Sequence, residues 1–266
     1  MKTTKSLLSL TLLVIVFTFT TISFAQESVP KPVFITTTTM HFNLTADGTD
    51  WLKTEKEYFE KVTSQNELVV AAHVVTHLYT EDNTEVKFVY VYNSWADIEK
   101  ANEINTKLIE KNFPDEVKRK EFFDKQSSFY KKHHSDEIYQ SLPFGKQPSL
   151  KSAKPQVFYV RNSQMALNGE GKGYNDFAKN VIHKNTLVKA YYPHRHLWGS
   201  DNRDFIEVFV FDSLADLEKS ADKNQELVAA TWPDEAKRKE FFTEMNKLFT
   251  GKHGDFIYQN VPELNK

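Results

Sequence analysis

The chain has 266 residues, yet it contains no cysteine and only 8 glycines. Without cysteine there is no disulfide, no thiolate metal site, no cysteine nucleophile and no lipid attached to cysteine. The glycine-based nucleotide-binding motifs, the Gly-x-Ser-x-Gly elbow and the His-Glu-x-x-His motif are also missing. The sequence therefore lacks the signatures of nucleotide-dependent enzymes, α/β-fold serine hydrolases and zinc peptidases.

The charge is close to balanced, with 34 lysines and arginines, 36 acidic residues and a formal net charge of −2. Loss of the first 25 residues would remove Lys2 and Lys5 and leave a net charge of −4. A nucleic-acid-binding protein needs a clustered basic surface. The composition therefore predicts no nucleic-acid partner.

Residues 1–25 have the pattern of a secretory signal peptide. Lys2 and Lys5 precede an apolar stretch of about 15 residues, which is shorter than the roughly 20 that a membrane-spanning helix needs. Small residues then stand at the −3 and −1 positions of the sequence SFA, before Gln26. The pattern predicts an exported protein, in the periplasm or outside the cell, with no membrane contact after cleavage.

The rest of the sequence is an approximate tandem repeat. PDEVKRKEFF at residues 114–123 returns as PDEAKRKEFF at residues 233–242, an offset of 119. The offset holds without a gap over 82 positions, and about 33 of them, roughly 40%, are identical. A period this long indicates a domain duplication. The predicted organisation is a first unit, a turn-rich linker and a second unit, at residues 30–143, 144–155 and 156–264.

Each unit shows the same alternation of strand and helix patterns. In the first unit we predict an opening strand, a helix, a hairpin of two strands, two helices and a short last strand. Ser94 followed by Asp97 is typical of a helix start, and Pro114 indicates a second start. The order is that of a ferredoxin-like unit. The predicted bounds are 33–42, 51–64, 68–79, 86–93, from 94, from 114, and 137–140.

An aromatic strand, FVYVYNS at residues 88–94, runs into the helix start WADIE at residues 95–99. With the strand order, this motif resembles the dimeric α/β-barrel superfamily over residues 30–264. In that superfamily two ferredoxin-like units pair their antiparallel sheets into one barrel. The resemblance implies an α+β fold of two tandem ferredoxin-like units. Their sheets would pair within the chain as a pseudo-dimer, or between two chains as a homodimer.

The third strand of each unit alternates two kinds of side chain. Val89 and Val91 recur as Val208 and Val210, while the intervening positions are aromatic except for Glu207. A period of two places the two sets on opposite faces. We expect the valines to pack against helices and the aromatic set to line the barrel. The aromatic set would form either a ligand cavity or a solid core, and its candidate ligand-binding members are Tyr90, Tyr92 and Phe209.

Glu207 replaces an aromatic residue at the position equivalent to Phe88. If it points into the barrel, burial would raise its pKa and suit it for general acid or base catalysis. The alternative is a structural ion pair with a nearby arginine such as Arg195 or Arg203. Glu207 is therefore the first candidate catalytic residue.

The second strand of each unit carries histidines. His77 and His196 are equivalent, and each is followed by leucine and an aromatic residue. Imidazoles that share a strand face can bind metal, ligate haem or shuttle protons. A hydrogen-bonded histidine near the hairpin is the alternative. We name His196 as a second catalytic candidate and expect a ligand to contact the neighbouring set: His77, Tyr79, His194, Arg195 and Trp198.

The two units differ most on these strands, at His73/Tyr192, Val75/His194, Thr76/Arg195 and Phe88/Glu207. The second unit carries more polar groups, so we expect a single site to lie there. The first functional hypothesis is a protein that binds a small apolar or aromatic molecule in the barrel and needs no cofactor. The resemblance implies a second, a monooxygenase-like or haem-linked oxidoreductase, since the superfamily includes cofactor-free monooxygenases and haem proteins. A non-catalytic structural or interaction protein is the third.

Overall fold

The computed structural model describes residues 31–149 and 152–266. The predicted signal peptide, at residues 1–25, lies outside the described residues. Within the described part of the chain, no helix is long and apolar enough to cross a membrane.

The first half contains four strands and three helices in the predicted order. The elements are β1 (Phe34–His41), α1 (Trp51–Lys61), β2 (Ala71–Tyr79), β3 (Glu85–Tyr92), α2 (Trp95–Asn112), α3 (Glu116–Ser128) and β4 (Ser135–Ser141).

The second half repeats this order with one irregular helix. The elements are β5 (Val157–Met165), α4 (Tyr174–Phe177), β6 (Ala190–Trp198), β7 (Asp204–Phe211), α5 (Leu214–Thr231), α6 (Glu235–Asn246) and β8 (Phe249–Asn260). A π-helical turn, Ala178–Ile182, continues α4.

Side-chain caps explain where the longer helices begin. The Ser94 hydroxyl accepts the backbone N–H of Asp97 at the start of α2, and Ser213 repeats this contact in α5. Helix α3 begins at Glu116, later than the position predicted from Pro114. The Asp115 carboxylate caps it by accepting two backbone N–H groups.

The eight strands close into one antiparallel barrel in the order β1-β3-β2-β8-β5-β7-β6-β4. The first half contributes the ferredoxin-like order β4-β1-β3-β2, and the second half contributes the equivalent order β8-β5-β7-β6. The halves meet at two seams, where β2 pairs with β8 and β4 pairs with β6. The predicted fold class is confirmed, and the described residues close the barrel within a single chain.

The valine face of β3 and β7 lines the interior of the barrel, which we call the lumen. Val89 and Val91 pack in one cluster with Ile35, Val160 and Val208, which come from both halves. The aromatic face instead packs against the helices: Tyr90 and Tyr92 meet α1 and α2, and Phe209 and Phe211 meet the α4 turn and α5. The prediction that the aromatic face lines the barrel was wrong, because period two gives two faces but does not say which one the helices cover.

Each half also reaches onto the other through the segment that follows its last strand. After β4, Lys146 pairs with the backbone of Tyr191 and donates from Nζ to the carbonyls of Asn185 and Val188. After β8, Lys266 donates from Nζ to the carbonyl of Asn66. These reciprocal contacts tie the barrel seams together.

Candidate functional site

The two histidines that both halves share lie at the same end of the barrel. Neighbouring strands are antiparallel, so β2 and β6, four places apart, run in the same direction and end in hairpins at one mouth. His77 pairs with Tyr258 across one seam, and His196 pairs with Tyr139 across the other. A shift of register, with one extra residue on β2 or β6, follows each histidine. Such bulges re-aim side chains and are frequent beside active sites.

His196 is a buried histidine with an unused ring nitrogen. Its residue exposure is 5%, and its Nε2 lies 3.3 Å from Oε2 of Glu137. Neither Nδ1 nor Nε2 has a hydrogen-bond partner among the described residues. The contact of Nε2 with the Glu137 carboxylate favours the tautomer with the proton on Nε2, which leaves the lone pair on Nδ1 to accept a proton.

Glu137 is held in place from two further directions. The Tyr139 hydroxyl donates to its Oε2 at 2.5 Å, and the Ser200 hydroxyl donates to its Oε1 at 3.1 Å. Burial, followed by the hydrogen bond to Glu137, raises the pKa of Tyr139, so this phenol stays protonated and donates. The carboxylate is thereby oriented towards the His196 imidazole.

The β6–β7 hairpin covers this pair closely. Gly199 has a φ of +131°, and a Cβ there would lie 2.8 Å from both His196 Nε2 and Glu137 Cγ. Only glycine allows the backbone to approach the imidazole in this way. The hairpin therefore covers the His196 imidazole, whose side chain is 2% exposed, while the Glu137 side chain remains 19% exposed.

A second carboxylate lies on β7 beside the pair. The Asn162 amide donates to Asp204, and burial raises the pKa of Asp204, with Asp201 and Glu137 adding to the effect. The Oδ1 of Asn162 is buried without a partner among the described residues. The second seam thus brings the carboxylates of Glu137 and Asp204 close to the His196 imidazole.

The first seam has the same plan but different charges. The Tyr258 hydroxyl donates to Glu85 at 2.9 Å, and Glu85 forms an ion pair with Lys87 at 3.0 Å. Ile206 occupies the position in the second half that is equivalent to Lys87. The Nδ1 of His77 is 2.7 Å from the Thr80 hydroxyl. Glu85 is therefore neutralised by Lys87, whereas an isoleucine takes the place of that lysine at the second seam.

His194 lies two residues before His196 on β6, on the same face of the strand. Both rings pack edge-on against Tyr139, at centroid distances of 4.8 and 5.2 Å, so the predicted shared face is confirmed. Its Nδ1–H donates to the carbonyl of Tyr192 at 3.1 Å. Burial lowers the pKa of His194 to about 4, so its imidazole is neutral at pH 7.

Deeper in the barrel than His194, side chains from opposite strands meet across the lumen. The rings of His73 on β2 and Tyr192 on β6 lie 6.4 Å apart, although the two strands are on opposite sides of the barrel. Phe158 adds a third ring at 5.9 Å from His73. These three rings fill the lumen at this level.

The remaining predicted site residues lie elsewhere. Arg195 is exposed and donates to Gln140, and Trp198 and Tyr79 are exposed at the ends of their strands. Tyr90, Tyr92 and Phe209 face the helices, as described above. The structure thus brings His194 and His196 together at the second seam and leaves the others outside it.

Glu207 also faces the helices. It is buried, and its Oε1 accepts hydrogen bonds from the hydroxyls of Tyr191, at 2.7 Å, and Tyr174. Burial raises the pKa of Glu207, and the two hydrogen bonds oppose that effect. Its surroundings are those of a structural carboxylate between sheet and helix, away from the lumen.

Sequence reasoning missed Glu137, Tyr139, Asn162 and Asp204. A signal for two of them was present: Tyr139 recurs as Tyr258 in both units, and Glu137 stands where the second unit has Phe256. Neither signal says that the two residues meet the second half of the chain. That information lies in the pairing of β4 with β6.

Haem, which the resemblance raised, needs an imidazole with space for a porphyrin beside it. His194 and His196 are buried against Tyr139, and Gly199 covers the second of them. His77 borders an open depression, but its lining contains two carboxylates and no lysine or arginine to pair with haem propionates. These residues do not fit haem. No cluster of three metal-ligating residues occurs in the described part of the chain either.

No family model and no curated protein matches the sequence. Solved structures are similar in fold. A protein assigned as a monooxygenase from Fusobacterium nucleatum has a TM-score of 0.56 at 10% identity, covering 86% of this chain and 92% of that one. An anthrone oxidase-like protein has a TM-score of 0.51 at 11% identity, with coverage of 87% and 92%.

A chlorite dismutase variant from Candidatus Nitrospira defluvii has a TM-score of 0.50 at 11% identity, again covering 87% and 92%. Identities this low establish a common architecture and leave the reaction open. The chain has the dimeric α/β-barrel fold, formed by two halves of a single polypeptide.

Proposed function

We propose that the protein is a monooxygenase-like oxidoreductase that oxidises a small aromatic substrate in the upper lumen without a metal or organic cofactor. The observation that carries the proposal is the buried His196 imidazole, whose two nitrogens have no hydrogen-bond partner among the described residues and whose Nε2 lies 3.3 Å from Oε2 of Glu137. An imidazole oriented by a carboxylate is a common arrangement for a general base. The likeness to proteins assigned as monooxygenases and to an anthrone oxidase-like protein supports the same reaction class.

The reaction begins with a proton transfer. His196 Nδ1 takes a proton from an acidic C–H of the substrate, and Glu137 stabilises the imidazolium that forms. The carbanion then gives its electrons to O2. Overall, a CH2 group and O2 become a carbonyl group and water, so the carbon supplies all the electrons and no other reductant is needed.

The enclosure of the pair supports this role. A general base contributes about 10²- to 10⁴-fold to a rate when it is held in position. Tyr139 and Ser200 hold Glu137, and Gly199 packs against the His196 imidazole, whose side chain is 2% exposed. Exclusion of water also protects a carbanion from reprotonation by solvent.

A binding protein without chemistry is the second candidate. The apolar, valine-lined wall of the lumen favours it, because an apolar wall holds an aromatic molecule without any reaction. The two candidates differ in a single observable. The binding protein would be stabilised by the substrate but would consume no oxygen.

The test is oxygen uptake with anthrone as the probe substrate, in buffer treated with a chelator. The proposal predicts uptake that His196→Gln lowers by about 10²-fold or more. The matched control is His134→Gln, because His134 is also paired with a carboxylate, 3.2 Å away, but is exposed outside the lumen. Thermal stabilisation by anthrone without oxygen uptake would favour the binding protein.

We also propose that the protein acts outside the cytoplasm, as the pattern of residues 1–25 indicates. Expression of the full chain followed by cell fractionation tests this. An exported product would begin at Gln26 by N-terminal sequencing. A product in the cytoplasm that keeps residues 1–25 would contradict export.

A further inference from the structure

A depression of about 710 Å³ opens at the hairpin end of the first seam, where β2 meets β8. It lies at the barrel end that also holds the proposed reaction site, but on the opposite seam. Its lining comes from two short segments, residues 77–81 and 254–256. The register shift after His77 opens this part of the seam, and the Phe256 ring packs against Gly254.

Every side chain that could recognise a ligand here is an acceptor or an aromatic ring. Glu81 and Asp255 contribute carboxylates, and Tyr79 contributes a ring whose residue is 61% exposed. Phe256 adds a second ring. The lining contains no lysine and no arginine, and Arg161, which is opposite Asp255 in the strand register, is not part of it.

The hydrogen bonds of Thr80 make His77 an acceptor as well. The Thr80 hydroxyl donates its only proton to the carbonyl of Asp82, at 2.9 Å. It must therefore accept from His77 Nδ1, which is 2.7 Å away. Nε2 of the neutral imidazole then carries a lone pair.

The Asp255 carboxylate already accepts hydrogen bonds but has lone pairs left for a further donor. The Tyr159 hydroxyl donates to its Oδ1 at 2.5 Å, and His253 Nε2 lies 3.2 Å from its Oδ2. A carboxylate offers about four lone-pair positions, so it can accept a further donor. A site made of acceptors, carboxylates and exposed rings suits a ligand that supplies positive charge and N–H donors.

We propose that this depression binds a small organic ammonium ion with an aromatic body. The ammonium group donates to His77 Nε2 and to the carboxylates of Glu81 and Asp255. The aromatic body packs on the rings of Tyr79 and Phe256. The proposal is independent of the reaction at the second seam.

The experiment titrates the full chain with phenethylammonium chloride and, separately, with the neutral 2-phenylethanol, using NMR chemical-shift changes or calorimetry. We expect a Kd on the order of 1 mM for the ammonium ion and much weaker binding of the alcohol. Added salt should weaken the ammonium complex, because exposed charges are screened. Equal affinity for the two compounds, or no binding of either, would overturn the proposal.

Tyr79→Ala is the main variant, since so exposed a side chain can be removed without loss of folding. Loss of the packing between the two aromatic rings should raise the Kd for phenethylammonium about fivefold. Glu81→Gln should raise it as well. Trp198→Ala is the matched control, because Trp198 occupies the equivalent position at the other seam and is just as exposed. An unchanged Kd in Tyr79→Ala, or an equal change in Trp198→Ala, counts against the site.

Discussion

Glu55 and Glu207 are each 4% exposed between the sheet and the helices of their own half, but Glu55 comes from a helix and Glu207 from a strand. At the offset of 119, Phe88 is equivalent to Glu207, and α4 with its π-helical turn is the counterpart of α1. The buried carboxylate between sheet and helices therefore comes from a helix in the first half and from a strand in the second half. Each carboxylate keeps a tyrosine donor: Tyr130 to Glu55, at 2.7 Å, and Tyr174 to Glu207.

This arrangement predicts a structural role for Glu207. Glu207→Gln keeps an acceptor for the tyrosines and removes a buried charge, so the unfolding free energy at pH 7 should change by less than about 1 kcal/mol. Glu207→Ala leaves the hydroxyls of Tyr174 and Tyr191 without an acceptor and should cost about 3 kcal/mol. Urea unfolding measures both.

The pH dependence gives a second check. Because the folded-state pKa of Glu207 is raised, the folded protein takes up the proton at a higher pH than the unfolded chain. Wild type should therefore gain stability relative to Glu207→Gln as the pH falls through that pKa. Oxygen uptake by Glu207→Gln should equal that of wild type, and a large loss would return Glu207 to the catalytic role.

His194 should make the protein sensitive to mild acid. Its pKa is lowered to about 4, while that of an unfolded histidine is about 6.5. Its neutral form stabilises the fold above pH 6.5, and that stability is lost as the pH falls from 6.5 to 4, by up to about 3 kcal/mol. His194→Val introduces the residue found at the equivalent position, Val75, and should flatten this part of the curve. Identical curves for the variant and wild type would contradict the assignment.

The C-terminal segment should contribute strongly to stability. Leu264 is 1% exposed and packs with Val74 and Val86 of the first half. Leu264→Ala should lower the unfolding free energy by about 2 to 4 kcal/mol. Leu167→Ala is the control, since Leu167 is 83% exposed and its loss should change stability by no more than about 0.5 kcal/mol. Similar effects of the two variants in urea unfolding would show that the segment does not join the halves.

We expect Gly199 to be needed for the activity of the His196–Glu137 site as well as for the conformation of the turn. In Gly199→Ala the new Cβ meets His196 and Glu137, so oxygen uptake should fall about tenfold or more. Gly251→Ala separates the two effects. Gly251 also has a positive φ, of +89°, but a Cβ there meets nothing within 4 Å. The Gly251→Ala variant should lose some stability and keep its activity. An equal loss of activity in the two variants would contradict the close approach at Gly199.

The sequence was enough for the fold, because the repeat and the strand order are local patterns. It was enough for His194 and His196 to share a face, because period two is a property of a single strand. It assigned the faces of β3 and β7 wrongly, since both faces are apolar and only the position of the helices distinguishes them. Glu137 could not be placed beside His196, because their contact depends on how β4 and β6 pair across a seam.

The central claim is that His196 is the base of an oxidation in the upper lumen. The most direct measurement is the rate of oxygen uptake with anthrone for wild type, His196→Gln and His134→Gln, in chelator-treated buffer. We expect uptake in wild type and His134→Gln, and a loss of about 10²-fold or more in His196→Gln with unchanged thermal stability. Equal rates in all three proteins, or no uptake in wild type, would contradict the claim.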